Sequence, residues 1–396
     1  MFVVAATTHV GRAVTTSVRG RSFEVAPMMD YTDRHFRYMF RLLSREATLY
    51  TEMIAANALV DPRGSRRPEL CASRLEGFYG YDDPYGRTVL QLGGACPTQL
   101  GAAAELAAPF GYAAINLNCG CPSDRVAGSG CFGAALMNDA PRVAACCEAI
   151  ASAGVPATVK CRVGAVDAVR DLDGYPYERL RDFVGEVARV GVRRFQVHAR
   201  LAVLSGLSPD KNRKVPPLRP DLVARLVADF PDLEFVFNGQ VDSFDVARHR
   251  LDLYDGVMVG RDACKRPWYW TSLDADLFGR PTPVDCRREL LRAYADYGTR
   301  VERRDEGGGR RKKKTPRRAL LKPLLNLFHG DPGAAAFKRR VDALAKEGPS
   351  LEFGDLLARA ADVLPDHVLD APPVRHPPVL ADASRSSSSS EMIMMM

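Results

Sequence analysis

The chain has 396 residues, 46% hydrophobic and 26% charged, which is ordinary globular usage with enough apolar side chain for two or three domain-sized cores. That balance argues against collagen-like, largely disordered and disulfide-scaffold classes. No run approaches the roughly 18 apolar residues of a membrane span, and the greasiest stretch, 141–160, is broken by Arg142 and Glu148. The net charge of +7 is a mild excess whose placement matters more than its size.

The ten cysteines are too sparse for a disulfide framework and match no zinc spacing, so no metal site is expected. Residues 1–22 carry Arg12, Arg19 and Arg21, with no acid before Glu24. This is the composition of an organelle transit peptide or of a plain N-terminal extension, and it leaves cytoplasmic and organellar (plastid or mitochondrial) locations both open.

From there to about residue 265 short apolar runs alternate with amphipathic stretches. The runs are Phe23–Pro27, Thr48–Glu52, Thr88–Leu92, Ala113–Asn118, Ala157–Arg162, Arg194–His198, Leu233–Asn238 and Gly256–Gly260. Each has the length and composition of a strand buried on both faces. Between them, Thr32 is placed to cap a helix over 33–43. Asp139 and Pro141 open one that Gly154 closes, 177–190 ends at Gly191, Pro220 starts one that stops before Pro231, and Asp242 or Ser243 caps the next. Eight such units over residues 23–270 predict an α/β fold, a (β/α)8 TIM barrel. A doubly wound sheet would carry a G-x-G-x-x-G turn after its first strand, where this chain has Met28-Met29-Asp30. A smaller all-helical domain is expected over 285–363, with a basic insertion near 303–318, and a Pro- and Ser-rich disordered tail over 364–396.

Polar or ligand-ready residues stand at the C-terminal ends of the predicted strands. They are Pro27/Met28, Glu52, Gln91, Asn118 with Cys121, Lys160 with Arg162, His198 with Arg200, Asn238-Gly239 and Gly260-Arg261. That rim is where barrels of this type build their chemistry. The glycines of Asn238-Gly239-Gln240 and Gly260-Arg261 offer backbone N–H groups to a phosphate, with Arg261 adding a fork of charge. Gln91, Lys160 and His198 suit a flavin: an amide can read the imide edge, and a cation can stabilise the charge of a reduced ring. Cys121, on a Gly-Cys-Pro turn, could serve as nucleophile, metal ligand or acid. No base is adjacent to activate a nucleophile, whereas a thiol at its ordinary pKa of ~8.5 is already a protonated acid. Cys119 competes for the role, and Pro122 favours Cys121.

These residues lie in motifs that resemble the tRNA-dihydrouridine synthases, in their A-type subfamily, from about Phe23 to Trp268 with a weaker echo to Ala345. The motifs are Ala-Pro-Met at 26–28, Tyr-Thr-Asp-Arg-His at 31–35, Leu-Tyr-Thr-Glu-Met at 49–53, Leu-Gln-Leu-Gly-Gly at 90–94 and Asn-Leu-Asn-Cys-Gly-Cys-Pro-Ser-Asp-Arg-Val at 116–126. They continue with Thr-Val-Lys-Cys-Arg-Val-Gly at 158–164, His-Ala-Arg at 198–200, Leu-Ser-Gly-Leu-Ser-Pro at 204–209, Asn-Arg-Lys-Val-Pro-Pro at 212–217 and Met-Val-Gly-Arg at 258–261. The resemblance implies an FMN enzyme, reduced by NADPH, that saturates the C5=C6 bond of uridines at positions 20 and 20a of the tRNA D-loop. It places Pro27, Met28 and Met29 along the flavin and Gln91, Lys160 and His198 on its ring. Asn238, Gly239, Gln240, Gly260 and Arg261 fall at its phosphate, with Gln240 replacing the family's usual glycine. Cys121 becomes the proton donor, and Asn118, Arg162, Arg200, Asn212 and Arg213 stand near the uridine or the RNA.

Ten Lys or Arg against two acids crowd 303–322, a local excess close to the whole net charge. In a tRNA-binding helical domain this suits phosphate contact through counterion release; the plain alternative is a solvated basic loop. tRNA and NADPH are the expected partners of a monomer without a membrane anchor. The rivals are a flavin dehydrogenase of a free pyrimidine, which needs no basic domain, and a catalytically silent RNA-binding relative.

Overall fold

The computed structural model describes residues 20–61, 83–122, 132–307, 315–346 and 351–377, without side chains at 304–307. Eight parallel strands close into a barrel: β1 (Ser22–Val25), β2 (Thr48–Ala55), β3 (Thr88–Gly93), β4 (Ala114–Cys119), β5 (Ala157–Arg162), β7 (Arg194–His198), β9 (Glu234–Asn238) and β10 (Gly256–Val259). β10 pairs with β1 to close the ring. All eight are the apolar runs expected from the sequence. Two further short strands, β6 (Ala165–Val166) and β8 (Ala202–Val203), form a small sheet beyond the ends of β5 and β7.

Strand alternation divides the side chains between two environments. Phe23, Leu90, Ile115, Leu117, Val159, Phe195, Val197, Phe235 and Phe237 belong to the main buried core beneath the helices, each large one contributing about 2–3 kcal/mol by leaving water. A smaller apolar cluster of Ala26, Tyr50, Val89, Ala114, Val236 and Met258 forms separately. At the N-terminal end of the strands, Glu24 accepts from Arg194 (2.7 Å) and from the Tyr50 hydroxyl (2.8 Å), and Arg194 also pairs with Glu234. The partnered charges close that end, so ligands are left the opposite one.

The barrel helices are α1 (Arg34–Leu43), α2 (Pro97–Ala107), α3 (Ala140–Ala151), α4 (Tyr177–Arg189), α5 (Pro220–Asp229), α6 (Phe244–Leu253) and α7 (Arg261–Lys265). α1 is capped by Asp33, whose carboxylate accepts the Phe36 N–H, and not by the expected Thr32; the Thr32 hydroxyl is occupied by the Met28 N–H at 3.0 Å. Of the two candidate caps for α6, Ser243 takes the role.

After α8 (Leu273–Phe278) come the helices of the C-terminal region: α9 (Arg287–Gly307), α10 (Arg317–Leu321), α11 (Ala334–Lys346), α12 (Phe353–Ala361) and α13 (Asp366–Leu369). A Cβ on Gly298 would sit 2.2 Å from the Phe353 ring, so the bare backbone there lets α12 pack against α9. The region is tied to the barrel by Tyr297, which stacks on Tyr38 (3.8 Å) and bonds the His35 ring at 2.8 Å, and by Asn326 donating to the Cys264 carbonyl.

The tail expected from 364 is corrected at its start. Val368 and Leu369 are buried, Arg288 pairs with Asp366 and Asp370, and Arg375 and the His376 backbone bind Asp276. Residues 378–396, the N-terminal segment 1–19 and the core of the basic insertion at 308–314 lie outside the described residues. Among the described residues no helix is long and apolar enough to cross a membrane.

Candidate active site

From Asn118 near the end of β4 a chain of amides runs back along the strands and across from one to the next. Gln91, 1% exposed, takes its backbone N–H to Thr51 Oγ1 (3.0 Å), donates from Nε2 to Asn116 Oδ1 (2.8 Å) and accepts from Asn118 Nδ2 (2.9 Å). Asn116 Nδ2 continues to Thr158 Oγ1 and Gln196 Oε1. Asn118 Oδ1 accepts the N–H groups of Gly120 and Cys121, both at 3.1 Å. The orientation of the Cys121 turn is thereby inherited from the buried Gln91–Asn116 pair. Ala134 N–H bonds the Cys121 carbonyl at 2.8 Å and holds the far side. Cys121 is half-buried and free, whereas Cys119 points the other way, buried beside Cys146, Cys147 and Cys161. Burial raises the Cys119 thiol well above its ordinary range, so Cys119 is removed from the rim as a competitor.

On the neighbouring strand, within electrostatic range of Cys121, Lys160 donates to Asn238 Oδ1 at 3.2 Å, and Asn238 Nδ2 is fixed on the Met258 carbonyl at 2.9 Å. Burial, then the neighbouring Arg162, pull the Lys160 ammonium down to about 8. It bonds a neutral amide, and among the described residues no carboxylate forms an ion pair with it. His198 is held neutral by burial and then by Arg162, Lys160, Arg200 and Arg213. Arg261, its side chain 61% exposed, leans toward Asp210 at 3.7 Å. Asp210 also serves Arg213 (3.2 Å) and Lys214 (2.7 Å). The mouth is thus a positive well with few acids, suited to an anionic ligand.

Between β9 and α6, Gly239 (φ +139°) and Gln240 (φ +51°) turn the chain through conformations that favour glycine. At Gly239 a Cβ would meet Leu218 at 2.7 Å. At Gly260 it would meet nothing, leaving an open approach to the backbone beside Arg261.

A family model described as dihydrouridine synthase (Dus) matches residues 24–361, spanning the whole barrel and most of the helical region. The chain belongs to the dihydrouridine synthase family. Among its curated relatives, a protein of Pseudomonas putida is 42% identical over 324 residues, covering 82% of this chain and 88% of the relative. One of Xanthomonas campestris is 44% identical over 316 residues, covering 80% and 86%. One of Vibrio cholerae is 39% identical over 331 residues, covering 83% and 93%. All three carry the name tRNA-dihydrouridine(20/20a) synthase.

Within this family member the expected site residues fall into two groups. Cys121, Lys160, His198, Asn238, Gly239, Gln240, Gly260 and Arg261 border the mouth. Pro27 and Met28 are half-buried at the end of β1, and Met29 is exposed. The second group ties loops together. Arg162, 3% exposed, donates to the carbonyls of Gly120 (2.9 Å), Leu201 (3.0 Å) and Asn212 (3.1 Å). Asn212, wholly buried, brackets Val203 from both sides (2.8 and 2.9 Å) and reaches the Leu207 carbonyl. Arg200 is buried on the Pro216 carbonyl. The geometry thus gives Arg162, Asn212 and Arg200 scaffolding positions beneath the 201–217 loop, with Arg213 partly exposed above it.

The sequence reading missed Asn116, Thr158 and Gln196 as members of the amide chain. Their signal was present: each lies two residues before a rim residue and so faces the same side of its strand.

Proposed function

We propose that the protein reduces the C5=C6 bond of uridines at positions 20 and 20a of tRNA to 5,6-dihydrouridine, using FMN and NADPH. The observation that carries this reading is Lys160. It is a largely buried cation at the mouth without a carboxylate partner among the described residues, standing over a barrel whose Cys121 turn is held by a dedicated amide chain. The site residues fit a flavin mononucleotide on two further grounds. Gln196 Nε2 is a buried donor without a partner among the described residues, and the Gly239–Gln240 and Gly260–Arg261 loops leave backbone and one guanidinium open to a phosphate. The names of the relatives support the choice of tRNA and of positions 20 and 20a.

FMN, held by these residues and reduced by NADPH, would supply hydride chemistry at C6. Lys160, aimed by Asn238, would oppose negative charge on a bound flavin, while His198, held neutral, could donate or accept a hydrogen bond without adding charge. The target uridine must leave its stack to lie flat in the mouth. As hydride arrives, negative charge develops on C5 and the C4 carbonyl, and the Cys121 thiol delivers its proton to C5. The thiolate left behind lies within electrostatic range of Arg162 and regains its proton from solvent.

The test is to incubate the purified protein with FMN, NADPH and an unmodified tRNA transcript, then digest the RNA and weigh the fragments. A gain of two hydrogens confined to positions 20 and 20a is expected. Reduction of free uracil or orotate with unaltered tRNA would reassign the enzyme to free pyrimidines.

A further inference from the structure

Tyr31 is not used by any part of the site described above. It lies on the turn between β1 and α1, at the same end of the barrel as Cys121 and Lys160, and its side chain is 52% exposed. The turn is pinned from two sides. The Asp30 N–H donates to Glu52 Oε1 at 2.5 Å, and Lys322, from the helical region, donates to the Asp30 carbonyl. The Lys322 ammonium lies 5.4 Å from the centre of the Tyr31 ring. A half-exposed aromatic ring is therefore presented at the junction of barrel and helical region, with the Lys322 cation over one face.

We infer that Tyr31 is a stacking platform for an unpaired RNA base flanking the target uridine. This rests on the tRNA reading above. Pulling a uridine out of the D-loop strips its neighbour of a stacking partner on one side, and the exposed base face costs free energy unless another π surface replaces it. A Tyr ring supplies that surface for any base identity. The adjacent Lys322 favours a polyanionic partner, since its charge can serve a phosphate of the nucleotide that the ring receives.

The experiment measures binding of an unmodified tRNA transcript by fluorescence anisotropy at several salt concentrations, for the flavin-loaded wild type and for Tyr31→Ala, Tyr31→Leu and Tyr31→Trp. Stacking predicts that Tyr31→Ala weakens binding about ten-fold, within the range measured for single base–aromatic contacts, with an unchanged slope of affinity against salt. Tyr31→Trp should retain wild-type affinity and Tyr31→Leu should behave as Tyr31→Ala. Flavin reduction by NADPH serves as the folding control. Wild-type affinity in Tyr31→Ala or Tyr31→Leu would overturn the inference, and so would a loss that comes with a shallower salt slope, which marks a charge effect. The tRNA reading itself falls on a different result, absence of dihydrouridine from the wild-type reaction.

Discussion

Replacing Lys160 by methionine should make the flavin-free protein more stable while making it a poorer enzyme. Burial and Arg162 lower the Lys160 ammonium from 10.5 to about 8, so at neutral pH the folded chain carries a charge that costs it at most about 3 kcal/mol. The methionine variant escapes that cost but leaves Asn238 Oδ1 without its 3.2 Å donor, a loss of about 1 kcal/mol. The net gain is about 2 kcal/mol, a rise in Tm of roughly 2 °C for a chain of this size. The sign with pH follows from linkage. A lysine with a lowered folded pKa destabilises fully below the folded value, and the penalty disappears as pH rises to the unfolded one. The advantage of Lys160→Met should therefore be constant up to about pH 8 and fade toward pH 10.5. Thermal unfolding of flavin-free wild type and variant at pH 7 and pH 10.5 measures it. A variant less stable than wild type at pH 7, or an equal advantage at both pH values, would refute the reading of Lys160 as a buried cation awaiting an anion.

Cys121→Ala should slow uridine reduction by about 10²–10⁴-fold, the usual worth of a positioned acid, while flavin reduction by NADPH in a stopped-flow trace stays near wild type. Cys119→Ala should leave both steps intact, because that thiol faces Cys146, Cys147 and Cys161; a slow Cys119→Ala with a fast Cys121→Ala would exchange their roles. Asn212→Ala should destabilise by about 2–4 kcal/mol, since it strands the Val203 N–H and carbonyl. Limited proteolysis should then cut within 201–217, and an uncut loop would show that the bracket is dispensable. Truncation after Asp370 removes the Arg375 and His376 bonds to Asp276 and the stacking of His376 on Phe244 at 4.6 Å. It should lower stability by about 2 kcal/mol, read as a fall in the denaturation midpoint; an unchanged midpoint would mean the strap is passive.

The barrel was legible because its signal is local: eight β-branched and aromatic runs, each ending in a residue that can touch a ligand. The site was legible in position more than in role. Arg162 and Cys121 look alike in a sequence, as polar residues just past a strand. What separates them is distance to carbonyls up to 50 residues away, such as that of Asn212, which no local pattern encodes. The cap of α1 was misplaced for a related reason: Thr32 is a good cap by type, but its hydroxyl is taken by Met28. The start of the tail was hidden by composition. Its prolines resemble a disordered segment, and the residues that order it, Asp276, Phe244 and Tyr269, sit about 100 or more positions earlier. The charged residues closing the far end of the barrel were hidden because Glu24 and Arg194 each interrupt an apolar strand and find each other only when the barrel closes.

The central claim is that one site passes reducing equivalents from NADPH to a tRNA uridine, and the anaerobic absorbance spectrum of the flavin-loaded protein tests it most directly. NADPH should bleach the flavin band, and unmodified tRNA added afterwards should restore it, with free uracil and orotate leaving the protein bleached. Recovery with orotate or uracil, or a band that tRNA fails to restore, would contradict the account.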